Sequence, residues 1–422
     1  MSSVSFLERL LDGVKVEWIA LDDVIISLKT GLNPRQNFQL NTTDAEGYYV
    51  TVREIQNGKV TFLDKTDRVN KKALELINNR SNLDAGDLLF SGTGTVGRTA
   101  VIESKPENWN IKEGVYAIKP DSERIHAGYL YHLLNSREIV GDYSKKIVGA
   151  PVVSLPMSDL RRLKIPIPCP ENPKKSLEIQ AEIVRILDAF TELTAELTAE
   201  LTAELTARKK QYNYYRDQLL SFEDGEVEWK TLGDVAQYSK TRISFEKLDE
   251  MNYVGVDNLL QNRAGKSPSN YVPTSGNLTE YRKNDILIGN IRPYLKKIWQ
   301  SDCDGGTNGD VLVLRCTSDS INPRYLYQVL ADDKFFDYNM QHAKGAKMPR
   351  GSKDEILKYR IPVPSLAEQA RIVAILDKFD ALTNSLTAGL PREIELRQKQ
   401  YEYYRDLLLS FPKPEAPTVA QA

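Results

Sequence analysis

The sequence has few of the residues on which many protein chemistries depend. Among 422 residues there are three histidines and three cysteines, and Cys169, Cys303 and Cys316 lie far apart without a C-x-x-C pair. Disulfide frameworks and zinc sites need such residues at close spacing, and histidine is the commonest general acid or base. We therefore predict no disulfide network, no metal site and no catalytic residues in this chain.

Long apolar runs and a large net charge are also absent. No window approaches the run of some 18 apolar residues that spans a membrane, and the N-terminus lacks a secretory pattern. The net charge is −2 although 27% of the residues are charged, so global disorder is not expected. This composition favours a cytoplasmic protein of two or three domains without a membrane partner.

A repeat with a period of four residues lies in the middle of the chain. Residues 191–207 read TELTAELTAELTAELTA, and no glycine or proline occurs from Glu178 to Leu220. Leucines four residues apart share one side of a helix, and alanine, leucine and glutamate favour helix formation. The pattern predicts one helix of about 65 Å. It is either a low-complexity solvated helix or a spacer whose length matters.

Much of the chain occurs twice. Val16-Glu17-Trp18 recurs as Val227-Glu228-Trp229, and IPIP at residues 165–168 recurs as IPVP at 361–364. The repeat region ends in RKKQYNYYRDQLLSF, and the C-terminal region ends in RQKQYEYYRDLLLSF. The segments before these endings share only scattered residues. Such an internal duplication predicts two equivalent halves related by a pseudo-twofold axis.

The pattern of elements predicts an α+β fold. Two globular α/β domains, rich in β-branched runs separated by turns, alternate with two long helices that pack as an antiparallel coiled coil. Within the first domain, the segment AGYLYHLLNSREIVGDY at residues 127–143 is predicted as one helix. Gly389 and Pro391 should break or kink the second helical arm. The predicted boundaries are 1–176 and 223–365 for the globular domains, 177–222 and 366–411 for the helices, and 412–422 for a disordered tail.

Residues 92–99, GTGTVGRT, resemble nucleotide-binding fingerprints. Both the dinucleotide-binding and the P-loop fingerprints need a helix directly afterwards, because the phosphate rests on its N-terminus. The following TAVIESKP is β-branched and ends in a proline, so a helix there is not expected. We predict instead a glycine-rich hairpin that allows its backbone and Arg98 to approach a phosphate.

Basic residues cluster at matching places just before the proline-rich exit of each globular domain. Recurrence at equivalent positions favours contacts with DNA phosphates or bases over two solvated basic loops. The predicted DNA-binding residues are Thr93, Thr95, Arg98, Lys145, Lys146, Asn290, Arg292, Lys296, Lys344, Lys347 and Arg350.

The apolar and aromatic residues of the two arms are duplicated nearly unchanged. Stacking on bases is one interpretation of the tyrosines, but unchanged duplication favours helix packing or docking of the same partner twice. The residues predicted for this role are Ile183, Leu187, Phe190, Tyr212, Tyr215, Ile372, Leu376, Phe379, Tyr401 and Tyr404.

Taken together, the two diverged domains, the repeated arms and the Thr-Ala-Glu-Leu tract resemble the DNA-specificity subunit of type I restriction–modification enzymes. The tract is similar to the spacer of the IC subgroup. The resemblance covers essentially the whole chain, but it transfers no base-reading residue, because the recognition domains are the variable part of the family.

The resemblance implies a non-catalytic subunit. Each globular domain would be a target-recognition domain for one half of a split DNA target, and the arms would set the spacing and dock two methyltransferase subunits. Two restriction subunits that translocate DNA would complete the complex, and S-adenosylmethionine, ATP and magnesium would bind to those partners rather than to this chain. Two alternatives are open: a helical scaffold whose globular domains bind proteins, and a fused enzyme with its own nucleotide site.

Overall fold

The structure is a computed structural model that describes residues 6–35, 37–223, 225–384 and 389–413. It divides into two compact units. The first consists of Met1–Glu196 and Gln398–Ala422, and the second of Leu197–Arg397. Each unit therefore contains one globular domain and part of each helical arm. The predicted repeated α+β architecture is confirmed.

The first unit is built on a four-stranded antiparallel sheet in the order β2-β10-β7-β8, with a separate β1–β11 ladder and a smaller sheet in the order β6-β3-β9. Its strands are β1 Val16–Ala20, β2 Ile25–Thr30, β3 Gly47–Val50, β4 Ile55–Gln56, β5 Lys59–Val60, β6 Arg68–Val69, β7 Leu88–Ser91, β8 Thr99–Val101, β9 Trp109–Ile111, β10 Val115–Pro120 and β11 Lys164–Pro168. Its helices are α1 Phe6–Leu11, a 3-10 helix Leu21–Val24, α2 Lys71–Ser81, α3 Ala127–Leu134, α4 Arg137–Ser144, α5 Met157–Arg161 and the start of α6 Pro173–Leu219.

The second unit repeats this plan. Its main sheet has the order β13-β20-β17-β18, its ladder is β12–β21, and its smaller sheet has the order β14-β16-β19-β15. The strands are β12 Glu228–Thr231, β13 Ala236–Tyr238, β14 Arg242–Ser244, β15 Tyr253–Val254, β16 Asn277–Tyr281, β17 Ile286–Gly289, β18 Ile298–Gln300, β19 Gly305–Thr307, β20 Val311–Cys316 and β21 Arg360–Val363. The helices are the end of α6, α7 Leu232–Val235, 3-10 helices Phe245–Lys247 and Pro293–Leu295, α8 Pro323–Leu330, α9 Asp333–Gln341, α10 Lys353–Lys358, α11 Leu366–Asn384 and the start of α12 Leu390–Leu408.

The first arm is one helix of 47 residues, α6. It begins at Pro173, which suits the first turn of a helix because its missing N–H would have no intrahelical partner there. The Thr-Ala-Glu-Leu tract lies within it, and no residue of 191–207 is buried. The uninterrupted helix predicted from the lack of glycine and proline is present.

The second arm contains two helical segments, α11 and α12. Gly389 has a φ of +82°, a conformation that favours glycine, and Pro391 lies in the first turn of α12, where proline is tolerated. Residues 385–388 lie outside the described part of the chain. The interruption predicted at Gly389 and Pro391 is found in the structure.

The predicted single helix over residues 127–143 is wrong. The segment forms two helices, α3 and α4, separated by Asn135 and Ser136. Ser136 caps the second helix, because its Oγ accepts a hydrogen bond from the backbone N–H of Ile139 at 3.5 Å. A serine that competes for backbone N–H groups favours a helix start over a helix interior, and the apolar periodicity does not reveal this.

A buried glutamine fastens each arm to its globular domain in the same way. In the first unit, Gln180 accepts a hydrogen bond from the backbone N–H of His126 at 2.8 Å and donates one to the carbonyl of Arg124 at 3.1 Å. In the second unit, Gln369 accepts from the N–H of Asn322 at 2.8 Å and donates to the carbonyl of Ser320 at 2.8 Å. Both glutamines are fully buried, so these bonds fix the register between arm and domain.

Each unit also pairs one arm with the other. In the first unit, Phe190 of α6 stacks on Tyr404 of α12 with centroids 5.7 Å apart. In the second, Phe379 of α11 stacks on Tyr215 of α6 at 5.4 Å. The beginning of one arm thus meets the end of the other in both units, which is the pairing of antiparallel helices predicted from the duplicated sequence.

The predicted domain boundaries remain predictions. Most of the predicted disordered tail, residues 414–422, lies outside the described residues. Its first two residues make contacts in the first unit: the carbonyl of Pro412 accepts a hydrogen bond from the Trp18 indole at 2.9 Å, and Lys413 pairs with Glu138 at 2.7 Å. None of the helices in the described ranges has the length and apolarity needed to cross a membrane.

A buried histidine makes the first unit sensitive to acid. His132 Nε2 lies 2.8 Å from Asp188 Oδ1, and Gln328 makes the equivalent bond to Asp377 in the second unit. Burial lowers the pKa of His132, and Asp188 offsets this only in part, while Arg405 and His126 add to the lowering. The unfolded chain therefore binds the proton more readily, and stability falls as the pH drops through the ordinary histidine pKa of about 6.5.

We expect His132→Gln to flatten the loss of thermal stability between about pH 7 and pH 5, because the glutamine cannot be protonated there. The measurement is the unfolding midpoint of wild type and variant at both pH values. Gln328→His is the reciprocal variant and should add acid sensitivity. Equal pH dependence of wild type and His132→Gln would contradict this assignment.

Candidate nucleic-acid interface

In the first unit, two loops meet beside the main sheet. Loop 92–98 connects the antiparallel strands β7 and β8, so the glycine-rich segment forms a hairpin and no helix follows it. Hairpin 148–154 lies against this loop, because Gly94 N–H donates to the carbonyl of Val153 and Leu155 N–H donates to that of Gly92, both at 2.8 Å. A contact of 3.2 Å joins the hydroxyls of Thr93 and Ser154.

The second unit contains the same pair of loops. Loop 290–297 follows β17, and hairpin 344–350 lies against it, since Arg292 N–H donates to the carbonyl of Pro349 at 2.7 Å. Lys344 and Arg350 exchange two backbone hydrogen bonds of 2.8 Å, as Val148 and Ser154 do in the first unit at 2.9 and 2.8 Å. The predicted basic residues of this unit are therefore brought together on two adjoining loops.

Each hairpin turns at a glycine. Gly149 has a φ of +98° and Gly345 has a φ of +100°. Residues other than glycine rarely adopt such positive φ values. A Cβ on Gly149 would lie 2.6 Å from the carbonyl oxygen of Val152. The shared Gly-Ala dipeptide thus encodes the same turn in both units.

The predicted residues of the first unit differ in accessibility. Thr95 is exposed and Thr93 is half-buried. Arg98 is exposed, and its guanidinium donates to the carbonyl of Val52 at 3.1 Å. Lys145 lies 3.4 Å from Asp142 on an exposed helix end, and Lys146 is half-buried. These lysines precede the hairpin rather than forming part of it.

Two predicted residues of the second unit are less available than the sequence suggests, because Lys296 is held in an ion pair and Asn290 is buried. Lys296 donates to Asp333 at 2.7 Å, and Arg263 also pairs with that carboxylate. Burial raises the pKa of Asp333, but the two cations outweigh burial and hold it below its usual range. Asn290 is only 6% exposed, so its side chain lies behind the loop surface, and its predicted DNA contact remains a prediction.

The other cations of the second unit face outward. Arg292, Lys344 and Lys347 are exposed, and over the described ranges the side chains of Arg292 and Lys347 have no ion pair or hydrogen bond. Arg350 pairs with Asp310 at 2.6 Å, although its side chain is half exposed. Three exposed cations on two rigidly joined loops form a surface suited to phosphate contacts.

A groove of about 860 Å³ opens beside the loops of the first unit. It is lined by Thr93 and Val152 together with three exposed cations, Arg35, Arg53 and Lys112. Asp67 and Glu113 also line it, and Asp67 pairs with Arg53 at 3.0 Å, so the positive charge is partly compensated. Arg35 and Lys112 have no ion pair among the described residues.

Sequence reasoning missed these three cations because they are distant in the chain and have no repeated counterpart. One signal was present: Lys112 directly follows β9, and Arg53 follows β3 by three residues. These two strands pair in parallel, so their C-terminal ends lie at the same edge of the small sheet.

The predicted arm residues divide into two groups. Ile183 and Leu187 are buried in the core of the first unit, as Ile372 and Leu376 are in that of the second. Tyr212 is also buried and bonds to Gln328 at 3.0 Å. These residues hold the arms to their domains, and their surfaces are not available to a partner.

A second group of arm residues is exposed or half-exposed: Phe190, Tyr215, Phe379, Tyr401 and Tyr404. Tyr214 and Tyr403, which are not among the arm residues predicted above, are more exposed still, at 61% and 64%. They occupy equivalent positions of the duplicated K-Q-Y-x-Y-Y motif, and each lies edge to face against the neighbouring tyrosine. The same aromatic pair is therefore presented once in each unit.

Within the described ranges, no group of three or more histidine, cysteine, aspartate or glutamate residues is placed to hold a metal ion. The side chains of the two loops, the groove and the arms offer cations, amides, hydroxyls and aromatic rings. This chemistry suits binding of a polyanion and docking of a protein.

Comparisons with known proteins agree with the resemblance inferred from the sequence. The family described as "Type I restriction modification DNA specificity domain" matches residues 14–207 and again residues 225–396. The two matches correspond to the two halves of the internal repeat.

Curated relatives are similar over nearly their full length. The chain is 37% identical to the Type I restriction enzyme EcoR124I/EcoR124II specificity subunit of Escherichia coli, over 98% of this chain and 99% of that protein. It is 32% identical to the EcoprrI specificity subunit of the same species, over 92% and 93%. A chain in a solved structure concerning complex assembly and conformational transition of the type I R-M system has a TM-score of 0.61 at 16% identity, over 93% of this chain and 97% of its own, which shows the same fold.

Proposed function

Because this chain belongs to the type I restriction–modification DNA specificity family, we propose that it is the DNA-reading subunit of such a complex and has no catalytic role of its own. Each globular domain reads one half of a divided double-stranded DNA target. The arms set the length of the unread gap and dock the methyltransferase subunits. A cytoplasmic location follows from contact with the chromosome.

The observation that supports this function best is the contrast between the two repeated surfaces. The arms present the same tyrosine pair in both units, whereas the equivalent hairpins carry different side chains, VGAPVVS at 148–154 and KGAKMPR at 344–350. Equal arms suit two copies of one partner, and unequal loops suit two different DNA sequences. A scaffold that binds proteins through its globular domains would not need cations on or beside the equivalent loops of both units.

The partners follow from this division. We propose that two methyltransferase subunits bind, one beside Tyr214 and the other beside Tyr403. Two restriction subunits join them in the full complex. S-adenosylmethionine belongs to the methyltransferase, and ATP and magnesium belong to the restriction subunit. This chain supplies their position on the DNA.

The charged residues take two roles. Lys344, Lys347, Lys145 and Lys146 are proposed to hold phosphates, because a lysine acts as a point charge. Arg98, Arg292 and Arg350 are proposed to contact phosphates or guanine, which arginine binds in bidentate fashion. Thr93, Thr95, Asn290 and Lys296 complete the proposed DNA-binding set around the two loops, to which Arg35, Arg53 and Lys112 of the groove are added.

The test uses the chain assembled with its methyltransferase. The methylated sites in DNA exposed to the complex are mapped, and the complex is then footprinted on the target found. We expect two protected half-targets of different sequence separated by an unprotected or insensitive gap. Binding of the complex without any sequence preference would overturn the proposed function.

Lys347→Ala should weaken binding to target and non-target DNA alike. Loss of one phosphate contact should lower the slope of log K against log salt by about 1. The measurement is DNA binding by the complex from about 50 to 200 mM salt. Lys358→Ala is the matched control, because this exposed lysine pairs with Glu355 at 2.9 Å outside the loops. An unchanged slope for Lys347→Ala would remove this residue from the interface.

A further inference from the structure

The two hairpins share their backbone but differ in chemistry. Val148 pairs with Ser154 in the first unit as Lys344 pairs with Arg350 in the second, so Val152 and Met348 occupy equivalent positions. The tip of the first hairpin, residues 148–152, reads VGAPV and has no polar side chain. The second tip is cationic. Besides the Gly-Ala dipeptide, the two hairpins share a larger apolar side chain at one equivalent position, Val152 and Met348.

Both apolar side chains point away from the cores. Val152 is 63% exposed and Met348 is 49% exposed. A single exposed apolar residue is ordinary, but two at equivalent positions of diverged domains call for a shared reason. Each lies three residues from a left-handed glycine on a turn closed by paired backbone hydrogen bonds.

The hairpin of the first unit is firmly anchored. Leu155, which follows it, is fully buried, and its carbonyl accepts a hydrogen bond from the buried hydroxyl of Tyr116 at 2.7 Å. The adjacent loop 92–98 also holds the hairpin, through the backbone hydrogen bonds of Gly92 and Gly94 described above. The exposure of Val152 is therefore imposed by a fixed backbone, and the side chain is displayed at low entropic cost on binding.

Cations lie near both apolar side chains. It lines the same groove as Arg35, Arg53 and Lys112, and in the second unit Met348 lies between Lys347 and Arg350. Cations on phosphates bring the tip between them toward the edges of the bases. In the major groove, the C5 methyl of thymine is the apolar group that distinguishes one base pair from another.

We propose that Val152 and Met348 each contact a thymine methyl group, one in each half of the target. This assignment rests on the proposed function and adds the residue that reads a base in each unit. The cations around each tip supply affinity without sequence information, and the apolar side chain supplies discrimination.

The experiment replaces thymines of the mapped target one at a time by deoxyuridine, which lacks only the methyl group. Binding is measured with the complex of this chain and its methyltransferase. In the first half-target, one replacement should weaken binding of the wild-type complex about fourfold, the value of one buried methyl group. Val152→Ala should abolish that sensitivity while leaving the sensitive thymine of the second half-target unchanged, and Met348→Ala should do the reverse.

The two variants serve as controls for each other, and Val152→Ser, which removes both γ-methyl groups and adds a hydroxyl, should behave like Val152→Ala. Thermal unfolding of all three should match wild type, because the side chains are exposed. The inference is overturned if no thymine of a half-target depends on its methyl group, or if Val152→Ala and Met348→Ala retain the wild-type pattern. Absence of any selective binding by the wild-type complex would instead overturn the proposed function.

Discussion

Deletion of residues 198–201, one Thr-Ala-Glu-Leu unit of α6, is expected to abolish methylation of the original target. The same complex should then methylate a new target that has the same two half-sequences and a shorter unread gap. The reason is that these residues lie within one uninterrupted helix. None of the side chains of the tract is buried. Their removal changes length without removing a core contact.

The size of the change follows from helix geometry. Four residues rise about 6 Å and turn about 400°, which leaves a rotation of about 40° beyond one full turn. One base pair of DNA turns about 35° and rises about 3.4 Å. The rotation matches one base pair and the rise lies between one and two, so we expect the gap to shorten by about one base pair.

Methylation mapping with wild-type and deleted chains provides the measurement. The control keeps the length and composition but scrambles the unit to Leu-Glu-Ala-Thr, and it should retain the original target. Insertion of one extra unit should lengthen the gap by the same step. New bases in either half-target, or an unchanged gap, would show that the tract does not set the spacing.

Gln369→Leu should cause the largest loss of stability among the substitutions considered. The glutamine is fully buried and joins α11 to the backbone of Asn322, Ser320 and Pro364 through three hydrogen bonds of 2.8 Å. Leucine has a similar size but leaves these three backbone groups without that partner. Each buried unsatisfied group costs about 1–3 kcal/mol, so we expect a loss of about 3 kcal/mol.

Thermal unfolding of the full chain should show this as a fall of roughly 6–12 °C in the transition that includes the second unit. Gln180→Leu should have a comparable effect through the first unit. Gln237→Leu is the matched control, because Gln237 is exposed on β13. A midpoint unchanged by Gln369→Leu would mean that the arm is held by apolar packing alone.

The sequence predicts well the features that are duplicated and those that depend on glycine and proline. The duplicated arms, the long helix and the interruption at Gly389 all follow from repeats and from residues with strong backbone preferences. The break between α3 and α4, in contrast, could not be predicted from the sequence pattern. Ser136 interrupts the helix although the apolar stripe continues on both sides of it, and Leu133 and Ile139, one on each side of the break, are both buried in the core.

The interface was predictable only in outline. The two basic loops could be located, because glycine and lysine recur near the same places. The sequence could not show which cations are available to DNA. Asp333, for example, lies 37 residues from Lys296 in the chain but forms an ion pair with it. Arg35, Arg53 and Lys112 come from three separate segments, and their common groove exists only once the sheets have formed.

The first unit combines segments from both ends of the chain, and this affects the order in which the two units fold during synthesis on the ribosome. The Trp18 indole bonds to Pro412, 394 residues later, and Leu408, Leu409 and Phe411 belong to the core that contains Leu7 and Leu21. The second unit is one contiguous segment and is complete when residue 397 has emerged. The usual sequence, in which the N-terminal domain is finished first, is thus reversed: the domain that is synthesised first is the last to close.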